Sequence, residues 1–157
     1  MSKSNISMVD ISEKEDIFRT AIAEGKIFLK KETIEKIKDK EIKKGDILTA
    51  AELAAISAVK KTPELIVLAH PIPIMKTDVD FKINEVDKYI TCRVEVKSIA
   101  KTGVELEALN GVMISLLTIW DFTKYLEKNK EGQYPSTHIT DVRVIKKIKS
   151  KIKYNNS

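Results

Sequence analysis

At 157 residues, 43% of them hydrophobic and 32% charged, the chain is long enough to enclose one hydrophobic core and too apolar to be a disordered tail. A lone cysteine, Cys92, excludes an internal disulfide, and no apolar run reaches the length that crosses a bilayer. The formal charge of +5 favours an anionic partner, yet the only arginines are Arg19, Arg93 and Arg143, which weighs against base readout on DNA.

Residues 1–9 are polar, lack an apolar signal core and read as a loose segment. A single domain is expected over 10–153, followed by a short tail at 154–157. From Phe18 to Leu29 small, apolar and polar side chains alternate, which predicts a strand, or a strand pair interrupted at Gly25. Ile34 and Ile37 give Lys31–Lys38 the spacing of a short amphipathic helix. Asp46 can accept the free amides of a first helical turn, and the Ala- and Leu-rich run from Ile47 to Lys61 follows as a helix that should stop before Thr62 and Pro63. The apolar stretch Leu65–Ala69 then enters a proline-stiffened loop with His70, Pro71 and Pro73.

Residues 75–84 and 88–100 both alternate and read as an antiparallel hairpin, with Val79, Phe81 and Ile83 on one face and Ile90, Cys92, Val94 and Val96 on one face. After the tight loop Lys101-Thr102-Gly103, residues Val104–Leu126 form a long helix. Its apolar residues cover more than one side, so it is buried deeply or packs on another subunit. The segment 138–153 alternates again as a last strand. The order predicts an α+β fold, a ferredoxin-like antiparallel sheet with helices packed on one face.

Five places could carry chemistry, each with a plainer reading beside it. Lys44, before the Asp46 cap, could meet phosphate at a helix start, or be an ordinary loop lysine. His70, held by Pro71, suits proton transfer, or a structural hydrogen bond. With His138 the only other histidine, a metal centre is not expected. Glu105 and Glu107 sit in a first helical turn, where the dipole favours negative charge. They stand two residues apart, so only one can serve the cap well. Asp121 and Lys124 are neighbours on one helix face, an acid–base pair if partly buried and a weak ion pair if not. Lys147, Lys149, Lys151 and Lys153 share one side of a strand, as a phosphate clamp or a lysine-guarded edge; beyond Lys147 the guarded edge is preferred. Glu107 and Asp121 lie about 21 Å apart along one helix. If both serve one small substrate, the site lies between two subunits.

Together these segments resemble the molybdenum cofactor biosynthesis protein C family, the cyclic pyranopterin monophosphate synthases. The match runs from Met8-Val9-Asp10-Ile11 through Lys44-Gly45-Asp46, Val59 to Ile66 and Leu68-Ala69-His70-Pro71. It continues through Lys101 to Leu109 and ends at Leu117-Thr118-Ile119-Trp120-Asp121 and Lys124. The lone cysteine and the lack of an apolar signal or membrane run lead to the expectation of a cytoplasmic protein. The resemblance implies an enzyme that converts 3',8-cyclo-7,8-dihydro-GTP to cyclic pyranopterin monophosphate and diphosphate, working as a hexamer, a trimer of dimers with sites at dimer interfaces. It implies Asp121 as the catalytic carboxylate with Lys124 as its partner, and Lys44, His70 and Glu105 as further active-site positions. Leu68, Ala69, His70, Leu106, Glu107 and Lys147 fall on substrate-binding positions. No redox cofactor is implied; a Mg2+ ion on the triphosphate is compatible, but no residue pattern specifies one. No nucleic acid and no membrane partner is expected. The chain departs from the family where Ala69 replaces a cysteine, Leu106 a methionine, Ala51-Glu52-Leu53 an Ala-Arg-Ile run, and a lysine-isoleucine strand the glycine-rich tail. A basic nucleic-acid-binding module and a catalytically inert member of the family are the competing readings.

Overall fold

Strand β1 (Ile17–Phe28) forms one unbroken centre for the sheet. The computed structural model describes residues 5–153; residues 1–4 of the expected loose segment and the whole expected tail at 154–157 lie outside the described residues. After β1 come helix α1 (Lys31–Lys38), helix α2 (Ile47–Leu65), strands β2 (Lys76–Asn84) and β3 (Tyr89–Ala100), helix α3 (Glu105–Glu127) and strand β4 (His138–Ser150). The sheet order is β2-β3-β1-β4, and every neighbouring pair is antiparallel. Two interleaved strand–helix–strand halves produce that order, which is the ferredoxin-like arrangement expected.

The expected hairpin forms with Val79 opposite Val94, Phe81 opposite Cys92 and Ile83 opposite Ile90. One face of the sheet is covered by helices. Ala21, Ala23 and Ile27 of β1 and Ile90, Cys92, Val94 and Val96 of β3 join buried Ala51, Ala55 and Val59 of α2 and Ala108, Val112, Leu116 and Ile119 of α3. Small alanines on α2 and β1 let the layers approach closely, while branched residues fill the gap. The other face is laced with charge, as between Arg93 and Glu24 at 3.7 Å and Lys97 and Glu95 at 3.5 Å.

Three boundaries differ from the sequence reading. Gly25 does not interrupt β1. A Cβ there would stand 2.7 Å from Val112 Cγ1 and 2.9 Å from both Leu116 Cδ1 and Val142 Cγ2, so the glycine exists to let α3 lie against the sheet. Helix α2 runs on through Pro63 to Leu65. The proline falls in the last turn, and just upstream Thr62 Oγ1 and Asn110 Nδ2 both donate to the Ala58 carbonyl, at 3.0 and 2.9 Å, which fastens that turn. Strand β4 ends at Ser150 and pairs with β1 through two register shifts, so Lys151 and Lys153 fall outside the ladder.

Candidate active site

Helix α3 carries charged residues at both ends, and α2 packs against it antiparallel. Asn110, near the start of α3, reaches Ala58 and Thr62 near the end of α2, and Lys44, just before α2, reaches Asp121 near the end of α3. The loop after α2, which holds His70, therefore sits at the end of α3 that carries Glu105 and Glu107. The loop before α2 sits at the end that carries Asp121.

At the far end of α3, Asp121 is gripped from two sides. Lys44 Nζ lies 2.7 Å from Oδ2, and Lys124 Nζ lies 3.0 Å from Oδ1. The helical spacing supplies the second contact. The first joins residues far apart in the chain, and the loop geometry at Gly45 (φ +122°) and the Asp46 cap on Thr49 set it up. Hydrogen bonds from Lys44 and then Lys124 hold the Asp121 carboxyl below its ordinary range, and the Asp121 carboxylate raises Lys124 above its own. The pair is thus a committed carboxylate beside a committed ammonium. All three side chains are close to half exposed, at 44% for Lys44, 48% for Asp121 and 45% for Lys124.

At the near end, Glu105 folds back over Gly103, where any side chain would collide with its carboxylate. Lys147 Nζ approaches Glu105 Oε1 at 2.5 Å from β4. Burial pushes the Glu105 carboxyl up, but the Lys147 hydrogen bond, a backbone amide and the charges of Lys147 and Arg19 together outweigh it and leave the group below its usual range. Glu107 is different: it is 3% exposed, and its Oε2 has no partner. Burial first, then the nearby Glu105 charge, raises its carboxyl above the ordinary range. Because its folded value is raised, ionisation of Glu107 costs stability. That cost is absent below the ordinary value of 4.5 and grows as pH rises through and above it. Glu107→Gln should therefore raise the thermal midpoint at pH 7 and lose that advantage near pH 4. An equal or lower midpoint at pH 7 would contradict the assignment.

His70 Nε2 lies 2.6 Å from the Val9 carbonyl, Ala69 is buried, and Leu68 is exposed beside Val67. Leu106 points outward from α3, and with Met113, Leu117, Asp121 and Lys124 it forms one continuous face at helical spacing, its apolar part about half exposed. The expected residues thus divide into two sets in one chain: Lys44, Asp121 and Lys124 at one end of α3, and His70, Glu105, Glu107 and Lys147 at the other. Glu105 and Asp121 stand about 24 Å apart along the helix.

Two residues escaped the sequence reading. Buried Arg19 donates to the carbonyls of Ala100 and Lys101, both at 3.1 Å, and fixes the loop that feeds α3. Its basic charge and place in an alternating strand gave no sign of that. Fully buried Glu127 accepts from the Lys30 amide at 3.1 Å, from the Thr33 hydroxyl and from the Thr137 hydroxyl at 2.7 Å, and it pins the last turn of α3. A glutamate at a helix end ordinarily reads as solvated. Among the described residues, no group of three or more His, Cys, Asp or Glu is placed to hold a metal, and no helix is long and apolar enough to cross a membrane.

Comparison with known proteins places these residues in context. The family model described as "MoaC family" matches residues 8–150. A protein of Thermococcus kodakarensis named "Probable cyclic pyranopterin monophosphate synthase" is 50% identical over 149 residues, covering 95% of this chain and 94% of that one. One of Methanococcoides burtonii with the same name is 52% identical over 145 residues, covering 92% and 90%. One of Methanothermobacter thermautotrophicus named "Probable cyclic pyranopterin monophosphate synthase accessory protein" is 50% identical over 147 residues, covering 94% and 91%.

Proposed function

Since the chain belongs to the MoaC family, we propose that it is a cyclic pyranopterin monophosphate synthase of molybdenum cofactor biosynthesis. The substrate is 3',8-cyclo-7,8-dihydro-GTP, and the products are cyclic pyranopterin monophosphate and diphosphate. In reaction class it is a phosphorus–oxygen lyase. The observation that carries the reading is Asp121 held between Lys44 and Lys124 on an open face.

The reaction opens a purine-derived ring, rebuilds a pyrazine ring and closes a cyclic phosphate. In the last step a sugar hydroxyl oxygen bonds to the innermost phosphorus as the phosphorus–oxygen bond to diphosphate breaks. These are proton transfers and one intramolecular displacement. Asp121 is the base and Lys124 the acid, and the contacts among Asp121, Lys44 and Lys124 fix where the proton is taken up and given back. Positioned groups of this kind contribute roughly 10²–10⁴-fold each. Lys44 and Lys147 neutralise phosphate charge as diphosphate leaves. His70, Glu105 and Glu107 hold the base and sugar or relay protons, and Leu68, Ala69 and Leu106 form the walls. Neither step passes electrons to an acceptor, so the chemistry calls for no redox cofactor, and any Mg2+ ion would arrive on the triphosphate.

Two ends of one helix cannot meet on one small substrate. A second α3 laid antiparallel over the Leu106–Met113–Leu117 face, with the two-fold axis near Met113, would bring one chain's Asp121 to the other's Glu105. The exposed apolar side chains along that face support this arrangement. The helix geometry calls for a dimer; the family resemblance extends the proposed assembly to a hexamer, a trimer of such dimers, and the proposed location is the cytoplasm.

The experiment is turnover of the cyclised dihydro-GTP by the purified protein alone, read as diphosphate release and as the mass of the cyclic product. Turnover supports the reading. Its absence in a folded, oligomeric sample would favour the competing reading, a catalytically inert member of the family.

A further inference from the structure

The segment Met8–Ile11, part of the family resemblance, has no role in the chemistry above, yet it touches the site. His70 Nε2 lies 2.6 Å from the Val9 carbonyl oxygen. A carbonyl only accepts, so Nε2 carries the proton, and in a neutral ring Nδ1 is left as the free acceptor. The carbonyl is itself held in place. Asp10 Oδ1 accepts from the Ser12 amide at 2.9 Å and from the Ser12 hydroxyl, which closes a turn immediately after Val9. Lys14 N–H donates to the Ile11 carbonyl at 3.0 Å, and the Lys101 ammonium donates to the Lys14 carbonyl at 2.8 Å. Lys101 also faces Asp16 at 4.0 Å. The segment is thus stitched at one end to the loop that opens α3 and at the other to the His70 ring.

We infer that residues 9–14 form a positioning strap that joins the His70 loop to the Lys101 loop and fixes His70 as its Nε2–H tautomer. This rests on the reading of His70 as a site residue. Asp10 and Ser12 are positioning residues: their hydrogen bonds reach the ring through the Val9 backbone, while the Asp10 carboxylate also feels the ring by charge. A ring whose orientation is set from outside the site meets its substrate with Nδ1 already presented, and preorganisation of this kind is easily lost through small displacements.

The test uses the full chain labelled with ¹⁵N-histidine, with the His70 tautomer read by long-range ¹H–¹⁵N correlation at about pH 8, where an ordinary imidazole is neutral. The His70 signals are assigned by their loss in His70→Gln. The wild-type protein should show the Nε2–H form. Asp10→Ala should move His70 toward a tautomer mixture and lower kcat roughly tenfold with KM little changed, while Asp10→Asn, which keeps an oxygen for the Ser12 amide, should restore both. An Nδ1–H tautomer in the wild type would overturn the inference. So would an Asp10→Ala protein with unchanged tautomer and unchanged kcat. A tautomer that shifts while kcat holds would uphold the strap and remove His70 from the chemistry instead, so the two claims fail separately.

Discussion

Asp121→Ala is expected to lower kcat by roughly 10²–10⁴-fold while leaving the protein folded. The side chain is about half exposed and its partners are both surface lysines, so its removal opens no cavity and strands no buried donor. Exposed ion pairs contribute little to stability, so the thermal midpoint should stay within a few degrees. What disappears is the carboxylate that two ammonium groups hold in place, together with the partner that positions Lys124. Asp121→Asn keeps the shape and loses the base, so it should fall nearly as far. Diphosphate release by either folded variant at close to the wild-type rate would end the catalytic assignment of this residue.

Glu127→Ala should act in the opposite way, on stability first. Its carboxylate accepts from the Lys30 amide and from the Thr33 and Thr137 hydroxyls in a fully buried setting. Truncation leaves those donors without a partner and water excluded, at a cost of about 3 kcal/mol. For a domain of this size that lowers the thermal midpoint by roughly 6–12 °C. Glu127→Gln retains one acceptor oxygen and should lose about half as much. Activity should fall in proportion to unfolding, because Asp121 and Lys124 ride on the same helix but do not touch Glu127. A midpoint within 2 °C of wild type, a bound set from the usual spread of surface substitutions at about 0.5 kcal/mol, would mean these hydrogen bonds are not holding the end of α3.

Periodicity carried the fold well because each element buries one side. The alternation of Val79, Phe81 and Ile83 against Ile90, Cys92 and Val94 became a register, and the spacing of Ile34 and Ile37 became the buried side of α1. Local rules failed where tertiary contact decided the outcome. Gly25 looked like a break because a missing side chain weakens a strand, but the helix lying over it needs that space. Pro63 looked like a stop, but α3 supplies Asn110 to fasten the turn before it. For the site, the Asp121–Lys124 contact was visible as helical spacing, whereas Lys44 on Asp121 and Lys147 on Glu105 join distant parts of the chain and needed the packing of α2 and β4. The unpartnered burial of Glu107 was equally hidden, since two glutamates in a first turn look alike until one is covered.

If one chain's Asp121 works against another chain's Glu105, two dead variants can repair each other. Asp121→Ala and Glu105→Ala proteins, co-expressed in equal amounts under different tags, should each be inactive alone. Mixed dimers place both substitutions in one site and leave the other intact, so a random mixture should recover about a quarter of wild-type diphosphate release. Mixed assemblies that carry both tags and show no more activity than either parent would place the whole site within a single chain and contradict the shared-site account.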